Sequence, residues 1–258
     1  MCADATAGSP TPSDVLAALG PFFAVERHPV GALPGARWRP LAELAEDPTA
    51  LRARVAAVRA SLAASHGTAP ERVEPRVAAS VAHLGLAARL VSPALALAVL
   101  RRAPFAASLG ALWWRPVLGG PVPLSVAVEG GRGAPRDASA DAADVLHPCL
   151  DRGPVAELTA VFRTLSLSPL ILWGNVASAV HGAAAQLARA RPGVAGEAGA
   201  VLGALLARAP LRGTAEVTAG GRFLRHSCCL VYRAAPERRG PVCGDCVLAR
   251  RASARSIR

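Results

Sequence analysis

The chain has 258 residues, and its 29 basic residues, all arginine, outnumber 18 acidic ones for a net charge of +11. That length suffices for one large domain, or one domain with a small module, and the 52% of hydrophobic residues, much of it alanine, does not mean a membrane protein. Aromatics are only 4%, so no aromatic platform interleaves with the scattered arginines, and with no helix-turn-helix, RRM or C₂H₂ pattern the composition argues against nucleic-acid binding. The absence of lysine, beside abundant Ala, Gly and Pro, fits a GC-rich coding bias better than selection for arginine chemistry. The basic balance reads as a solvated surface, or as a face that docks an acidic electron donor or attracts an anionic iron chelate.

Residues 1–12 are polar and read as a disordered N-terminus. No charged, then apolar, leader precedes them, which leads to the expectation of a cytoplasmic protein. Ser13-Asp14 before Val15 predicts a short capped helix. Pro40 to Ala64 reads as helix, with Leu41, Leu44, Leu51, Val55, Val58 and Leu62 at helical intervals. Pro70-Glu71 opens another helix through Val77, Val81 and Leu84, and Ser92-Pro93 a further one to Leu100. The apolar run from Val77 to Leu100 carries His83, Arg89 and Pro93, so a buried or amphipathic helix pair is expected, with no stable membrane insertion.

Val122 to Glu129 alternates weakly between glycine pairs and predicts a strand; residues 130–141 read as a Gly/Ala/Asp-rich loop. Gly130-Gly131-Arg132-Gly133 lacks the spacing of a dinucleotide-binding loop, and there is no P-loop. Helices are predicted from Pro154 to Leu165, from Ser168-Pro169 to about Arg191, and from Gly196 to Arg208. Arg222 to Tyr232 reads as extended after the Gly220-Gly221 break. The expected fold is α+β and predominantly α-helical: an α-rich domain over residues 13–215, a small C-terminal cysteine-rich module over 216–250, and a basic tail over 251–258.

Within that module lies the sharpest chemistry. Cys228-Cys229, thirteen residues, and Cys243-Gly-Asp-Cys246 place four of the six cysteines within nineteen positions. Four such thiols suit an iron–sulfur cluster, a structural zinc or two disulfides. A CxxC pair is common to all three; the vicinal pair is the unusual half. Adjacent residues of an extended chain point to opposite faces, so both sulfurs reach one site only if the backbone kinks there. Clustered cysteines in a cytosolic chain hold metal more often than disulfides. Cys2 reads as a terminal thiol and Cys149 as a small buried one. His147-Pro148-Cys149 is sequence adjacency without the geometry of a Cys–His pair.

The segment Cys228-Cys229-Leu230-Val231-Tyr232-Arg233, followed by Cys243-Gly244-Asp245-Cys246, resembles the C-terminal signature of the ferric-siderophore reductase family, the FhuF-like proteins. Leu172-Trp173-Gly174-Asn175-Val176-Ala177-Ser178 resembles the family's internal LWGNxAS segment. Weaker similarity lies in Ala78-Ala79-Ser80, Ala88-Arg89-Leu90, Ser92-Pro93 and Leu112-Trp113-Trp114-Arg115-Pro116, so the resemblance spans roughly residues 75–248. It implies a [2Fe–2S] cluster on Cys228, Cys229, Cys243 and Cys246. It also implies one-electron reduction of a ferric siderophore, with Fe(II) released, and an external donor such as a ferredoxin or flavin reductase.

On the residues themselves, Leu172, Trp173 and Val176 read as core, and Gly174 as a point of close backbone approach. Asn175, Ser178 and His181 share one helical face. They either make local hydrogen bonds or face solvent, or else line a cleft that faces the cluster or chelate. His226 reads as an exposed strand histidine, with a role beside the cluster as the alternative. Arg225, Arg233, Arg238 and Arg239 would favour a reduced, more negative cluster. Two rivals remain: a zinc-stabilised, non-enzymatic binding protein, and an iron–sulfur redox sensor.

Overall fold

A computed structural model describes residues 11–106, 108–128 and 140–248. The expectations for residues 1–10 with Cys2, for most of the 130–141 loop, and for the 251–258 tail lie outside these residues.

Most of the described chain is helical, with one small mixed sheet and one hairpin, an α+β fold as expected. Helix α1 (Pro12–Ala17) is opened by a capping box: Thr11 accepts from Asp14 N, and the Asp14 carboxylate accepts from Thr11 N. Where the sequence predicts one helix over 40–64, the chain makes a short turn α2 (Glu43–Glu46) and then α3 (Pro48–Ser65). Pro48 cannot donate to the ladder, and Asp47 caps the new helix by accepting from Thr49 N at 2.7 Å.

The predicted helix pair over 70–100 is instead one 27-residue helix, α4 (Pro75–Arg101), preceded by a single 3₁₀ turn at Pro70–Arg72. It runs through Pro93, and the Ser92 hydroxyl donates to the Ala88 carbonyl at 2.7 Å beside the interrupted ladder. Burial on nearly every face, Pro93 included, outweighs the local cost of the proline. It is the one described helix long and apolar enough to cross a membrane, yet 72% of its apolar window is buried inside the protein.

Strands β1 (Glu26–Pro29), β2 (Arg39–Pro40), β3 (Leu112–Trp114) and β4 (Leu124–Val128) form a sheet in the order β1-β4-β3-β2. The β1–β4 pair is parallel and the other two are antiparallel, with Ser125 opposite both Glu26 and Trp113. Arg89 fastens this sheet region to α4, its Nε donating to Val122 O at 2.6 Å and its two Nη groups to the carbonyls of Phe22 and Ala24.

Three further helices follow: α5 (Ala142–Asp151), which sequence reading did not anticipate, α6 (Pro154–Arg163) and α7 (Pro169–Ala190). Helix α7 is capped by Ser168, and its buried Leu172, Val176, Ala179, Ala183 and Leu187 recur every three or four residues. Helix α7 packs along α4, the most extensive helix pairing among the described residues. Helix α8 (Ala195–Leu206) lies against α7 and α5.

The chain then forms the hairpin β5 (Ala215–Val217) and β6 (Phe223–Arg225), turning at Gly221 with φ +75°. The extended reading of 222–232 holds only through β6. Leu230 adopts a left-handed conformation at φ 69°, and Val231–Ala234 coils into a 3₁₀ turn. Phe223, Leu230 and Ala234 of this C-terminal segment bury into the same hydrophobic cluster as α4 and α7.

Candidate metal centre

Directly after the vicinal pair the chain turns at Leu230, which is left-handed at φ 69° and brings its N–H back to Cys228 Sγ. The four thiols meet as two crossed pairs. Cys229 Sγ lies 3.6 Å from Cys243 Sγ, and Cys228 Sγ lies 3.8 Å from Cys246 Sγ. Each pair takes one cysteine from each half of the motif. Among the described residues, no three His, Cys, Asp or Glu side chains converge as ligands of a single ion.

Two thiolates on one tetrahedral metal, with metal–sulfur bonds of about 2.3 Å, stand about 3.8 Å apart. Both pairs match that separation. Leu230 N donates to Cys228 Sγ at 3.3 Å and Leu248 N to Cys246 Sγ at 3.4 Å, and such bonds stabilise thiolate charge. The Cys229 thiol is pulled well below the ordinary range by its hydrogen bonds with Cys228 and Cys243, helped by the positive charge of Arg225. Cys228 and Cys243 are pushed up, first by their hydrogen bonds with Cys229 and then by burial. Four thiols this close do not all ionise unless a cationic centre holds them. Four thiols at this spacing are the donor type that a [2Fe–2S] group, with two thiolates on each iron, would take.

Helix α7 holds this site from behind. Asn175 is 0% exposed, and its Oδ1 accepts from Arg225 Nη2 at 2.7 Å. Its Nδ2 donates to Ser80 O at 3.0 Å. One turn on, the Ser178 hydroxyl donates to an Asp245 carboxylate oxygen at 2.6 Å, inside the CxxC loop. Asp245 O in turn accepts from Arg225 N at 2.9 Å, and His181 stacks on Phe223 of β6 with ring centroids 4.4 Å apart. The Asn175, Ser178 and His181 row thus faces the C-terminal segment, not solvent. Burial lowers the His181 pKa, against the opposing charge of Asp245.

Gly174 allows the close approach. A Cβ there would overlap the Ser227 hydroxyl and sit 3.2 Å from Arg225 Nη2. Ser227 donates to Leu170 O at 2.8 Å, fixing the strand end next to Cys228. Trp173 is half-buried against the core.

The remaining candidates are dispersed. His226 has an exposed side chain, with Nδ1 2.9 Å from Gly213 O, just beyond the end of β6. Arg233 pairs with Glu74 at 2.7 Å. His147 Nε2 lies 2.8 Å from Ala209 O, while burial pushes the Cys149 thiol up to about 12, leaving it an inert core thiol. Sequence reading missed Ser227 and the anchoring role of Asp245. A charged residue between the two cysteines of a CxxC turn was the available signal for the latter.

No protein-family model and no curated protein matches this chain.

Proposed function

We propose that the protein is an iron–sulfur reductase that passes single electrons to ferric siderophore complexes and so releases Fe(II) in the cytoplasm. The observation that carries this reading is the crossed pairing of Cys229 with Cys243 and of Cys228 with Cys246. It answers the distinctive element of the sequence motif, the vicinal pair. When bound, a [2Fe–2S] cluster supplies one-electron chemistry within reach of the substrate. The substrate follows from hardness: oxygen-rich siderophore ligands grip Fe(III) far better than Fe(II), so a single electron loosens the chelate.

The chain's own part is to hold, shield and expose. Cys229 and Cys246 are buried and exclude water from one side of the site, while Cys228 and Cys243 are half-exposed and form its open edge. Ferric chelate and donor would both approach that edge. An external donor such as a ferredoxin or a flavin reductase is required, because the sequence carries no nicotinamide or flavin motif. The positively charged chain suits an acidic donor.

The test is to reduce anaerobically purified protein with dithionite, remove the excess, and mix it with ferric hydroxamate and ferric catecholate chelates in the presence of a ferrous-specific chromophore. About one Fe(II) should be trapped per reduced protein for at least one chelate class, and Cys243→Ser should abolish the reaction together with bound iron. Reduced protein that keeps its electron with every chelate would remove the reductase reading. The spacing of each sulfur pair also equals an edge of a zinc–thiolate tetrahedron, so a zinc-stabilised binding protein is the second reading. Metal content separates the two.

A further inference from the structure

Two arginines are among the largest fully buried side chains, Arg89 and Arg225. They are satisfied very differently. Arg89 points its Nε and both Nη groups at backbone carbonyls. Arg225 directs only Nη2 to acceptors, chiefly Asn175 Oδ1 at 2.7 Å, and its Nε and Nη1 have no hydrogen-bond partner among the described residues. No carboxylate among the described residues forms an ion pair with it. A guanidinium stays ionised at any physiological pH, and a buried charge without a counter-charge is strongly destabilising. The fold nevertheless keeps Arg225 at 1% exposure.

The other arginines near the cysteines each have a carboxylate partner, although Glu74 is shared with Arg76 as well. Arg233 and Arg238 both pair with Glu74, at 2.7 and 3.1 Å, and the exposed Arg239 pairs with Glu237 at 3.5 Å. Among the described residues, Arg225 alone of the four is without an acid. It lies three residues before Cys228, and its backbone N–H is bonded to Asp245 O between the CxxC cysteines. Its Nη2 lies 3.4 Å from the hydroxyl of Ser227, the residue that precedes Cys228.

We propose that Arg225 is the built-in counter-cation of the four-cysteine site, held against it by Asn175 across the gap that Gly174 leaves, and that it biases the bound group toward its reduced, more negative state. The second half rests on the [2Fe–2S] reading above; the first does not. Arg225 is a positioning residue that acts through charge. Four thiolates around two ferric ions and two sulfides carry a net negative charge, and each added electron increases it, so a fixed cation nearby favours the reduced form.

The test compares Arg225→Met, Arg225→Lys and Asn175→Asp with the unmodified full-length chain, each purified anaerobically. Metal release to an excess of chelator is timed, and the midpoint potential is titrated. Arg225→Met should release metal at least tenfold faster. At a fixed poise its oxidised-to-reduced ratio should rise tenfold, a downward shift of about 59 mV for one electron. Arg225→Lys keeps the charge and should stay within threefold of the unmodified chain. Asn175→Asp places a carboxylate against the guanidinium and should move the potential in the same direction as Arg225→Met; it carries the test if the methionine variant does not fold. Unmodified potential and release rate in Arg225→Met, or in Asn175→Asp in its place, would overturn the proposal. If the unmodified chain carries zinc without sulfide, the reductase reading falls, while metal release alone still decides whether Arg225 balances the thiolates.

Discussion

At the scale of single residues, Asn175 sorts two polar environments. Its Nδ2 donates to Ser80 O and lies 3.4 Å from His83 Nδ1, while its Oδ1 accepts from Arg225. With Nδ1 accepting, His83 carries its proton on Nε2 and donates to Thr159 Oγ1 at 3.2 Å; the Thr159 hydroxyl donates onward to Val155 O at 2.7 Å. Every member of this chain is satisfied only if the ring is neutral. Burial, with the charge of Arg225 adding to it, lowers the His83 pKa from 6.5 to about 3. The unfolded chain therefore binds a proton below pH 6.5 that the folded chain refuses. Stability is complete above that pH and falls as pH drops toward 3, by up to about 1.4 kcal/mol per unit. His28 and His181, also lowered by burial, act in the same direction. Urea midpoints at pH 7.0 and 5.5 should fall steeply for the unmodified chain and less for His83→Gln. Equal slopes would show that His83 is not held neutral.

At the scale of elements, α7 is the platform on which the cysteine segment docks, and its glycines differ in kind. Gly182 is exposed and a Cβ there meets nothing within 4 Å, whereas one at Gly174 meets Ser227 and Arg225. Gly182→Ala should therefore stabilise by up to about 1 kcal/mol through helix propensity. Gly174→Ala gains the same propensity but pushes β6 off the helix. It should lose stability and expose the segment after residue 211 to protease, which thermal melts and limited proteolysis would detect. A Gly174→Ala variant as stable as Gly182→Ala would mean that the strand does not pack there. Much of this element was readable beforehand: the Ser168-Pro169 start, the apolar stripe and the row through Asn175, Ser178 and His181 all follow from helical periodicity. The partners of that row were not, because Arg225 and Asp245 lie 50 and 67 residues from theirs in sequence. The continuity of α4 through Pro93 was illegible for a related reason. Local rules price the proline, whereas packing on all sides decides. Strands β1, β2 and β3 carry little alternation of their own and exist through pairing with β4 or one another.

At the scale of the whole molecule, the described chain shares one hydrophobic core, and its C-terminal segment closes over one end of the α4–α7 pair. The candidate centre is thus assembled from residues distant in sequence: two cysteine pairs, a buried arginine, and an asparagine from α7. That arrangement accounts for the presence of both the LWGN stretch and the CC/CxxC motif in one chain, the first supporting the second. On the proposed function the four thiols hold two irons. The most direct measurement is iron and acid-labile sulfide per chain in protein purified anaerobically, with visible and EPR spectra before and after dithionite. About two irons and two sulfides are expected, with an EPR signal that appears on reduction. Stoichiometric zinc without labile sulfide, in protein kept from oxygen, would contradict it.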